Sequence, residues 1–536
     1  MTICFSNPFE GLETVARLHE YEGKALLRDA GVRVPDGEPV RTAEEAVQVV
    51  ERLGGQAIMK VQAWTTSRKA QGGVVIVRSP EEARAEAERL LGMRFGNFPV
   101  EVILVEQLMD ISSELFVSMT IDDSARRPLM LFDASGGSGI EDRADEVTRL
   151  AVDLETGIDE DGLRAACSQF ESVTVERIVE AMARIVTLAQ TVEARSFEVN
   201  PLVVLSDGSI AAADCRITID DYAVFRHPEL GISIARELDH PATMLEQVAY
   251  AVEQADHRGT FYFAQLPTDG AANTKGLIGF HGAGGGGSMM SMDAAVNEGF
   301  TLANFCDTSG NPSAAKVYRA ARVILGQPGL IGYFGSGSGV ASQEQFHSAY
   351  GLAKAFVELN LPLPAVVRLG GNSEDRAVEI LQDACADLPA TVEGYGKDDT
   401  PAFCASRFAD IVQQSRSEHP DMTSDGLVSR TPDFVGSSDA IRHDFDGGTL
   451  WLDRQHWSDK ATEIVREHGS LVFDTEANEG FALAIPPEDL AKRDSELIAC
   501  EVECRRAGCE CVYVELAIEG LEEAVASLAS NRGEGN

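Results

Sequence analysis

The sequence lacks any apolar run of about 18 residues, the length that a membrane-spanning helix needs. Its first residues carry acids instead of the basic and then apolar order of a secretory signal. Basic residues are also few, with 45 lysines and arginines against 86 acids and a net charge of -41. Nucleic acids and anionic membranes are bound by basic patches. We therefore expect a cytoplasmic protein that binds neither nucleic acid nor membrane.

The ten cysteines are too scattered over 536 residues for a disulfide framework. The exception is a cluster with the spacing C-x3-C-x4-C-x-C, made of Cys500, Cys504, Cys509 and Cys511. Zinc sites usually contain paired C-x2-C units. Buried free thiols on a helix and the strand after it are therefore the favoured interpretation, with a metal site as the alternative.

The chain is too long for one hydrophobic core, and its length favours two to four domains. Shifts in composition and in apolar periodicity predict six segments. They are an N-terminal extension (1–14), an α+β nucleotide-binding domain (15–235), a connector (236–274), a parallel α/β domain (275–412), a linker (413–439) and a small α/β domain of unknown role (440–536).

Residues 197–216 have the pattern of a β-hairpin, since two apolar runs flank Ser206-Asp207-Gly208. A turn centred on Asp207 would set Asn200 opposite Asp214. The two-residue period of a strand then puts four polar side chains on one face: Glu198, Asn200, Asp214 and Arg216. Carboxylate and amide oxygens suit Mg²⁺. The alternative is a surface hairpin in which Arg216 is paired.

The first half also contains basic residues that stand out against the acidic background. Lys60 lies in the apolar strand predicted for Ala57–Val61, so its amine has to reach solvent or an anion. Arg68 and Lys69 follow in a loop of small residues. A helix is predicted for residues 42–53, where Thr42 and Glu45 have the spacing of a capping box.

The second half repeats the order strand, glycine-rich turn, helix four times after residue 275. This order predicts a doubly wound parallel sheet, whose ligands lie beyond the carboxyl ends of the strands. One helix is predicted to begin at Pro312, after the loop Ser309–Asn311. Its N-terminus would suit a phosphohistidine or an acyl phosphate, and a plain connection is the alternative.

Three features together resemble the β subunit of succinyl-CoA synthetase: Leu18-His19-Glu20-Tyr21, Glu198-Val199-Asn200-Pro201-Leu202 with Asp214, and the glycine-rich loops of the second half. That family consists of ATP-grasp, ADP-forming acyl-CoA ligases. The resemblance covers about residues 18–412. It implies an ATP-grasp domain followed by a flavodoxin-like parallel-sheet ligase domain, with residues 440–536 outside it.

The resemblance implies a ligase that uses ATP, Mg²⁺ and CoA, with site residues transferred position by position. ATP contacts would come from Lys60, Ser67, Arg68, Lys69, Glu106, Met109 and Glu114. Asn200 and Asp214 would bind Mg²⁺, and Glu198 would steady the histidine that carries phosphate. The carboxylic acid substrate would meet His281, as a catalytic group, and Gly335, Ser336 and Gly337.

Departures from the family pattern leave alternatives. His281 replaces the family's asparagine, which predicts a substrate other than succinate unless His281 is structural. The family's CoA-binding domain and phosphorylated histidine belong to an α subunit, so an α-like partner is expected. An amine or another non-CoA acceptor is a second hypothesis, and a degenerate regulatory subunit is a third.

Overall fold

The computed structural model describes residues 14–63, 68–136, 147–236, 238, 240–268, 274–337, 339, 341–468, 471–474, 480–483 and 489–533. The chain divides into two compact units, Met1–Ala242 (unit 1) and Thr243–Asn536 (unit 2). The finer domain boundaries expected from the sequence stay predictions. Within the described ranges, no helix combines the length and the apolar character that crossing a membrane requires.

Unit 1 combines five helices with mostly antiparallel strands in its described residues. The helices are α1 (Glu20–Asp29), α2 (Ala43–Arg52), α3 (Pro80–Leu91), α4 (Glu160–Ala166) and α5 (Ser172–Thr191). The strands are β1 (Thr14–Val15), β2 (Gly37–Val40), β3 (Ala57–Val61), β4 (Val74–Val77), β5 (Arg94–Phe95), β6 (Phe98–Pro99), β7 (Ile103–Glu106), β8 (Ile111–Asp122), β9 (Arg127–Asp133), β10 (Thr148–Asp153), β11 (Gly157–Ile158), β12 (Ala194–Leu205), β13 (Ile210–Ala212), β14 (Arg216–Ile219) and β15 (Ile232–Ile234).

Two sheets organise unit 1. The smaller has the order β2-β7-β3-β4 and the larger the order β11-β10-β9-β8-β12-β13, with β14 also paired to β12. Helices α2 and α3 cover the small sheet and share one apolar core with it. Helix α2 begins as its sequence predicts, because Thr42 Oγ1 accepts the Glu45 N–H at 3.2 Å and Glu45 Oε2 accepts the Thr42 N–H at 3.1 Å.

The hairpin has the register that its turn predicts. Val204 pairs with Ile210 and Leu202 with Ala212, and Glu198 pairs with Arg216 on the continuation β14. Asn200 and Asp214 lie midway between these pairs, where the ladder opens between β13 and β14. Asn200 and Asp214 therefore lie at the polar end of the hairpin, between the regular strand pairs.

Unit 2 starts with alternating helices and strands. The helices are α6 (Met244–Ala255), α7 (Gly285–Asn297), α8 (Ala314–Leu325), α9 (Phe346–Glu358), α10 (Glu374–Ala384) and α11 (Pro401–Glu418). The strands are β16 (Tyr262–Gln265), β17 (Leu277–Ala283), β18 (Thr301–Leu302), β19 (Asn304–Asp307), β20 (Leu330–Gly337), β21 (Ala341–Glu344), β22 (Ala365–Arg368), β23 (Gly371–Asn372) and β24 (Val392–Tyr395).

The main sheet of unit 2 confirms the predicted doubly wound fold. Strands β19, β17, β20, β22 and β24 are neighbours in that order and run parallel, with β16 antiparallel at the edge. This is the flavodoxin-like order 2-1-3-4-5, whose ligand crevice opens where the order reverses, between β17 and β20. Strand β20 contributes to the cores on both faces of the sheet: Leu330 and Tyr333 join one core, and Ile331 and Phe334 the other. A register shift in the pairing with β17 lies between Leu330 and Tyr333.

Helix α8 does not begin at Pro312 as its sequence suggests. It begins at Ala314, because Ser313 Oγ accepts the Lys316 N–H at 2.9 Å and thereby caps the helix. Helix α7 begins at Gly285, inside the glycine run that was expected to be a loop. Gly284, with φ of 99°, turns the chain from β17 into α7.

The C-terminal segment, residues 440–536, adds three helices and five strands among its described residues. The helices are α12 (Asp459–Glu467), α13 (Leu490–Arg506) and α14 (Leu521–Gly533), and the strands are β25 (Ala440–Phe445), β26 (Gly448–Asp453), β27 (Leu471–Asp474), β28 (Gly480–Leu483) and β29 (Val512–Leu516). Its apolar residues belong to the same core as α8 and α9, including Leu450, Ile498 and Val514. The segment is therefore packed onto the parallel-sheet layer.

A buried ion network also joins the segment to that layer. Lys354 on α9 lies 2.8 Å from Glu358 and 2.9 Å from Glu501 on α13, with its side chain fully buried. Its ammonium also lies over the rings of Tyr318 and Tyr513. Burial alone would lower the pKa of Lys354, but the two glutamates hold the pKa above its usual range. The lysine is therefore charged in the core.

Replacing Lys354 by methionine is expected to destabilise unit 2 by about 3 kcal/mol, because two buried carboxylates lose their shared cation. Thermal unfolding of the full chain measures the loss as a lower midpoint. Lys275→Met is the control, since Lys275 is half-exposed in its pair with Glu298. Equal midpoints for the two variants would contradict this account of the network.

Candidate functional site

Unit 1 contains a cavity of about 880 Å³ between the small sheet and the polar end of the hairpin. Strands β3 and β4 and residues around α1 form one side, and β8, β12 and the start of β14 form the other. The lining residues are Arg17, Leu18, His19, Glu20, Ile58, Lys60, Gln62, Ala63, Arg68, Lys69, Val74, Val75, Ile76, Ile111, Glu114, Glu198, Asn200, Pro201, Ala213, Asp214, Cys215 and Arg216. The cavity lining thus combines apolar and charged side chains.

The four polar residues of the hairpin all line this cavity, as their shared face predicts. Asn200 Nδ2 lies 3.4 Å from Glu198 Oε1, so the amide nitrogen is turned to the glutamate. The Asp214 side chain is about one-third exposed, at 32%. Oxygen atoms of an amide and a carboxylate therefore border the same open volume.

Beneath the cavity lies a buried cluster of two lysines and two glutamates. The Lys60 ammonium donates to Glu20 at 2.7 Å and lies 2.9 Å from Glu106. Lys24 contacts the same two carboxylates, each at 2.7 Å. Both ammonium groups also donate to the Ala213 carbonyl, at 2.7 and 2.8 Å. The cluster thereby fixes the backbone that directly precedes Asp214.

Arg68 links this cluster to the hairpin. Its Nη2 lies 3.0 Å from Glu20 Oε2 and 3.1 Å from Asp214 Oδ2, and its Nη1 donates to the Val61 carbonyl at 3.0 Å. Burial and the nearby Glu20 charge raise the pKa of Asp214 to about 6, against the opposing effect of Arg68. For Glu20, burial alone would raise the pKa, but Lys24, Lys60 and Arg68 hold it below its usual range.

The other predicted nucleotide contacts divide into two groups. Lys69 and Glu114 line the cavity. Glu106 and Met109 are not among the residues that line it. Glu106 is buried in the ion cluster, and Met109 packs against the apolar face of the hairpin. Ser67 lies outside the described residues. The role of each in nucleotide binding stays a prediction.

Helix α1 carries titratable groups whose pKa values are shifted by burial. His19 stacks on Tyr21 with ring centroids 5.7 Å apart, and burial together with Arg68 lowers the pKa of His19 to about 4. Glu22 accepts the His19 N–H at 2.7 Å, yet burial raises the pKa of Glu22 to about 7. His19 is therefore neutral at physiological pH.

Glu22 should make unit 1 less stable as the pH rises. Its carboxyl titrates near 4.5 when exposed and near 7 in the fold, so the folded state binds more protons between these values and loses stability as pH increases. Glu22→Gln removes this contribution. We expect the variant's unfolding midpoint, relative to the parent, to rise between pH 5 and about 7. A pH-independent difference between variant and parent would contradict the assignment.

The predicted substrate residues of unit 2 meet at the strand-order reversal. His281 on β17 is paired in register with Gly335 on β20, followed by Gly282 with Ser336 and Ala283 with Gly337. This is the edge of the sheet where the fold opens its ligand crevice. The parallel pairing thus brings together residues more than fifty positions apart.

His281 itself is buried and fully hydrogen-bonded. Its Nδ1 lies 2.5 Å from the Tyr333 hydroxyl and its Nε2 lies 3.0 Å from Thr308 Oγ1. Burial lowers the pKa of His281 to about 4, so the imidazole is neutral. Ser336 is likewise buried and accepts the Ser291 hydroxyl at 2.8 Å. Their contact with substrate stays a prediction.

Glu20 and Lys24 are site-supporting residues that no sequence motif marks as functional. Both are buried charges on α1 and form a pair four residues apart. The signal in the sequence is the four-residue spacing of Glu20 and Lys24, which is typical of an ion pair on one helix face. Leu26 and Leu27 on the same helix are buried. Sequence alone could not show that Lys60 and Glu106, from two strands, complete the cluster.

Divalent-cation binding can be tested against the donor atoms of the cavity. Among the described residues, no group of three or more His, Cys, Asp or Glu side chains is arranged to hold a metal ion. Asp214 and Asn200 offer one carboxylate and one amide at the cavity. Mg²⁺ commonly takes only one or two protein oxygens and completes its shell with water and phosphate. The residues present therefore fit Mg²⁺ bound together with a nucleotide.

Comparison with known sequences agrees with this organisation. The sequence model of the ATP-grasp domain family matches residues 17–204. The succinate–CoA ligase (ADP-forming) subunit beta of Rubrobacter xylanophilus is 30% identical over 383 residues, which are 70% of this chain and 95% of that protein. The corresponding subunit of Ignicoccus hospitalis is 33% identical over 380 residues, 68% of this chain and 94% of that protein.

Comparison with solved structures supports the fold. The ATP citrate lyase of Methanothrix soehngenii superposes with a TM-score of 0.59 at 17% identity, over 74% of this chain and 99% of that chain. The sequence matches span nearly the full length of the two ligase subunits. The predicted resemblance is thereby confirmed, and the chain belongs to the succinate–CoA ligase β-subunit family, a ligase family with an ATP-grasp domain.

Proposed function

We propose that the chain is the nucleotide-binding subunit of an ADP-forming carboxylate–CoA ligase that works with an α-like partner. The observation that carries the proposal is the cavity of unit 1, where Lys60, Arg68 and Lys69 face Asn200 and Asp214. Phosphoryl transfer depends mainly on positioning and on neutralising phosphate charge. The residues of this cavity can both position the nucleotide and neutralise the charge of its phosphates.

Each group has a distinct part in this proposal. Lys60 and Arg68 would contact nucleotide phosphates, and Asn200 with Asp214 would hold Mg²⁺. The bound ion would neutralise the charge that develops on the phosphates. Arg68 is now bonded to Asp214, so binding of Mg-ATP would exchange this ion pair for new contacts of each partner with the ligand's opposite charges.

The partner is proposed from family membership, since the relatives are named as beta subunits. An α-like chain would supply CoA binding and a phosphorylated histidine, and Glu198 at the cavity would orient that imidazole. In unit 2, the neutral His281 at the position of the family's asparagine supports a carboxylate other than succinate. Tyr333 and Thr308 occupy both ring nitrogens of this imidazole, so it has no free N–H to offer a second carboxylate.

The test uses the full chain reconstituted with an α-like subunit. ADP release is measured with Mg-ATP, CoA and a panel of mono-, di- and tricarboxylates that includes succinate. We expect CoA-dependent turnover with a carboxylate other than succinate. Turnover that is fastest with succinate would refute the substrate part of the proposal, and turnover with an amine acceptor that is unchanged when CoA is omitted would refute the acceptor.

A measurement of Mg-ATP binding tests the nucleotide site independently of the overall reaction. Calorimetry with Mg-ATP and the isolated chain should show one site, weakened by Lys60→Met and unchanged by Lys275→Met. Absence of Mg-ATP binding by the folded parent chain would refute nucleotide binding and favour a regulatory subunit.

A further inference from the structure

Four cysteines lie together at the end of helix α13, outside the residues that the proposed function uses. Cys500 and Cys504 are one turn apart on α13, Cys509 follows the helix and Cys511 directly precedes β29. All four are free thiols. Cys500, Cys504 and Cys511 are buried, whereas Cys509 is only partly buried.

The backbone brings two of these residues together. Gly508, with φ of 74°, donates its N–H to the Arg505 carbonyl at 2.8 Å, and Cys509 donates to the Cys504 carbonyl at 2.7 Å. This pair of bonds is the Schellman motif. That motif frequently brings the side chain two positions past the helix cap against the third residue from the helix end, and here these positions are Cys509 and Cys504, joined by their backbone bond.

The neighbouring thiols surround the same pair. Cys504 is in hydrogen-bonding contact with the thiols of Cys500 and Cys511. The Cys511 thiol also contacts the Cys509 carbonyl at 3.8 Å, and Ser458 Oγ lies 3.4 Å from Cys509 Sγ. The cluster is thus built of sulfur atoms on three consecutive pieces of chain: the helix, the turn and the residue that directly precedes the strand.

The four thiols differ in their expected reactivity. The hydrogen bond with Cys500, together with burial, raises the pKa of Cys504 above its usual range. The hydrogen bond with Cys504, together with burial, does the same to the pKa of Cys511. Thiolates are the reacting species, so Cys504 and Cys511 react slowly with external reagents. Cys509 is the thiol that an external reagent can reach first.

We propose that Cys509 and Cys504 form a redox-responsive pair, which becomes a disulfide by exchange with a low-molecular-weight disulfide such as oxidised glutathione. The Cys509 thiolate attacks one sulfur of the reagent, whose S–S bond breaks and releases one thiolate. Cys504, deprotonated, then attacks the Cys509 sulfur and displaces the second thiolate. The two cysteines lose two protons and two electrons, and the reagent is reduced to two thiols.

The bond would change the helix that carries the cluster. It would close the short loop from Cys504 to Cys509 and fasten the end of α13 to its turn. Helix α13 also contacts the first turn of α8, because Ser495 Oγ accepts the Ala315 N–H at 3.2 Å. The oxidised chain should therefore unfold at a higher temperature than the reduced chain, without any change to the residues of the unit 1 cavity.

The test incubates the full chain with oxidised glutathione, blocks remaining thiols and maps the peptides by mass spectrometry. Trypsin cuts after Arg505 and Arg506, so a Cys504–Cys509 disulfide joins two separate peptides. We expect close to one such link per chain, reversed by dithiothreitol. Cys509→Ser should form no link, Cys504→Ser should stop at a glutathione adduct on Cys509, and Cys404→Ser, a buried thiol on α11, should behave as the parent.

Three results would overturn the proposal. They are a stable glutathione adduct on Cys509 of the parent chain, a link from Cys504 to Cys511, and stoichiometric co-purified zinc whose removal is needed before any thiol reacts. If Cys504→Ser does not fold, Cys509→Ser at its partly exposed position still separates exchange through Cys509 from direct oxidation of the buried thiols.

Discussion

Asp214→Ala is expected to lower ATP-dependent thioester formation by the reconstituted pair of subunits at least about 10³-fold. The carboxylate contacts Arg68, and its loss removes both a proposed cation ligand and one partner of a largely buried guanidinium. Such a factor corresponds to about 4 kcal/mol of lost transition-state stabilisation. Initial rates of acyl-CoA formation measure it directly.

Asp207→Ala is the matched control, because the same substitution then falls on the same hairpin outside the cavity. Asp207 lies at the turn, where it accepts the Ser209 N–H at 2.9 Å, and its side chain is 66% exposed. We expect this variant to keep the parent rate. Calorimetry with Mg-ATP shows whether the Asp214 effect arises in binding. A parent-like rate for a folded Asp214→Ala variant would refute the proposed cation site.

Glu20→Gln is expected to destabilise unit 1 by about 3–5 kcal/mol, since one buried negative charge then no longer balances its cations. Glu20 contacts Lys24, Lys60 and Arg68, and its side chain is 1% exposed. For a unit of this size the midpoint of thermal unfolding should fall by about 10 °C. Differential scanning calorimetry of the full chain should show the shift in one transition and leave the other in place.

Glu44→Gln is the control for this effect. Glu44 also pairs with an arginine, Arg84, but both side chains are exposed. Exposed ion pairs contribute little to stability, so no measurable change in midpoint is expected. Equal behaviour of the two glutamine variants would show that the buried cluster does not stabilise unit 1.

The local elements of this protein could be predicted where short-range physics decides them. The hairpin register follows from the turn at Asp207, and the start of α2 follows from the Thr42–Glu45 capping box. The flavodoxin-like sheet follows from the repeated order of strand, glycine-rich turn and helix. In each case the determining residues lie within a few positions of the structure they determine, so the sequence contains the whole signal.

Helix starts in the glycine-rich loops were harder to place. Proline at the first helical position favoured Pro312, but Ser313 offers a hydroxyl that caps the next turn, so α8 begins at Ala314. The glycines after Gly284 were expected to form a loop before the helix, yet Gly285–Gly287 are its first turn. A capping hydrogen bond and packing on the sheet outweigh intrinsic helix propensity there.

Sequence by itself determined the family, the shared face of Asn200 and Asp214 on the hairpin and the parallel sheet, because motifs and periodicities depend on neighbouring positions. Only the tertiary structure decided that Glu20 and Lys24 pair with Lys60 and Glu106, that His281 lies between two hydroxyls, and that the C-terminal segment shares its core with α8 and α9. These features depend on contacts between distant parts of the chain. Such contacts form because buried charges need opposite charges and apolar surfaces need to be covered. A local sequence pattern does not identify which distant residues provide them.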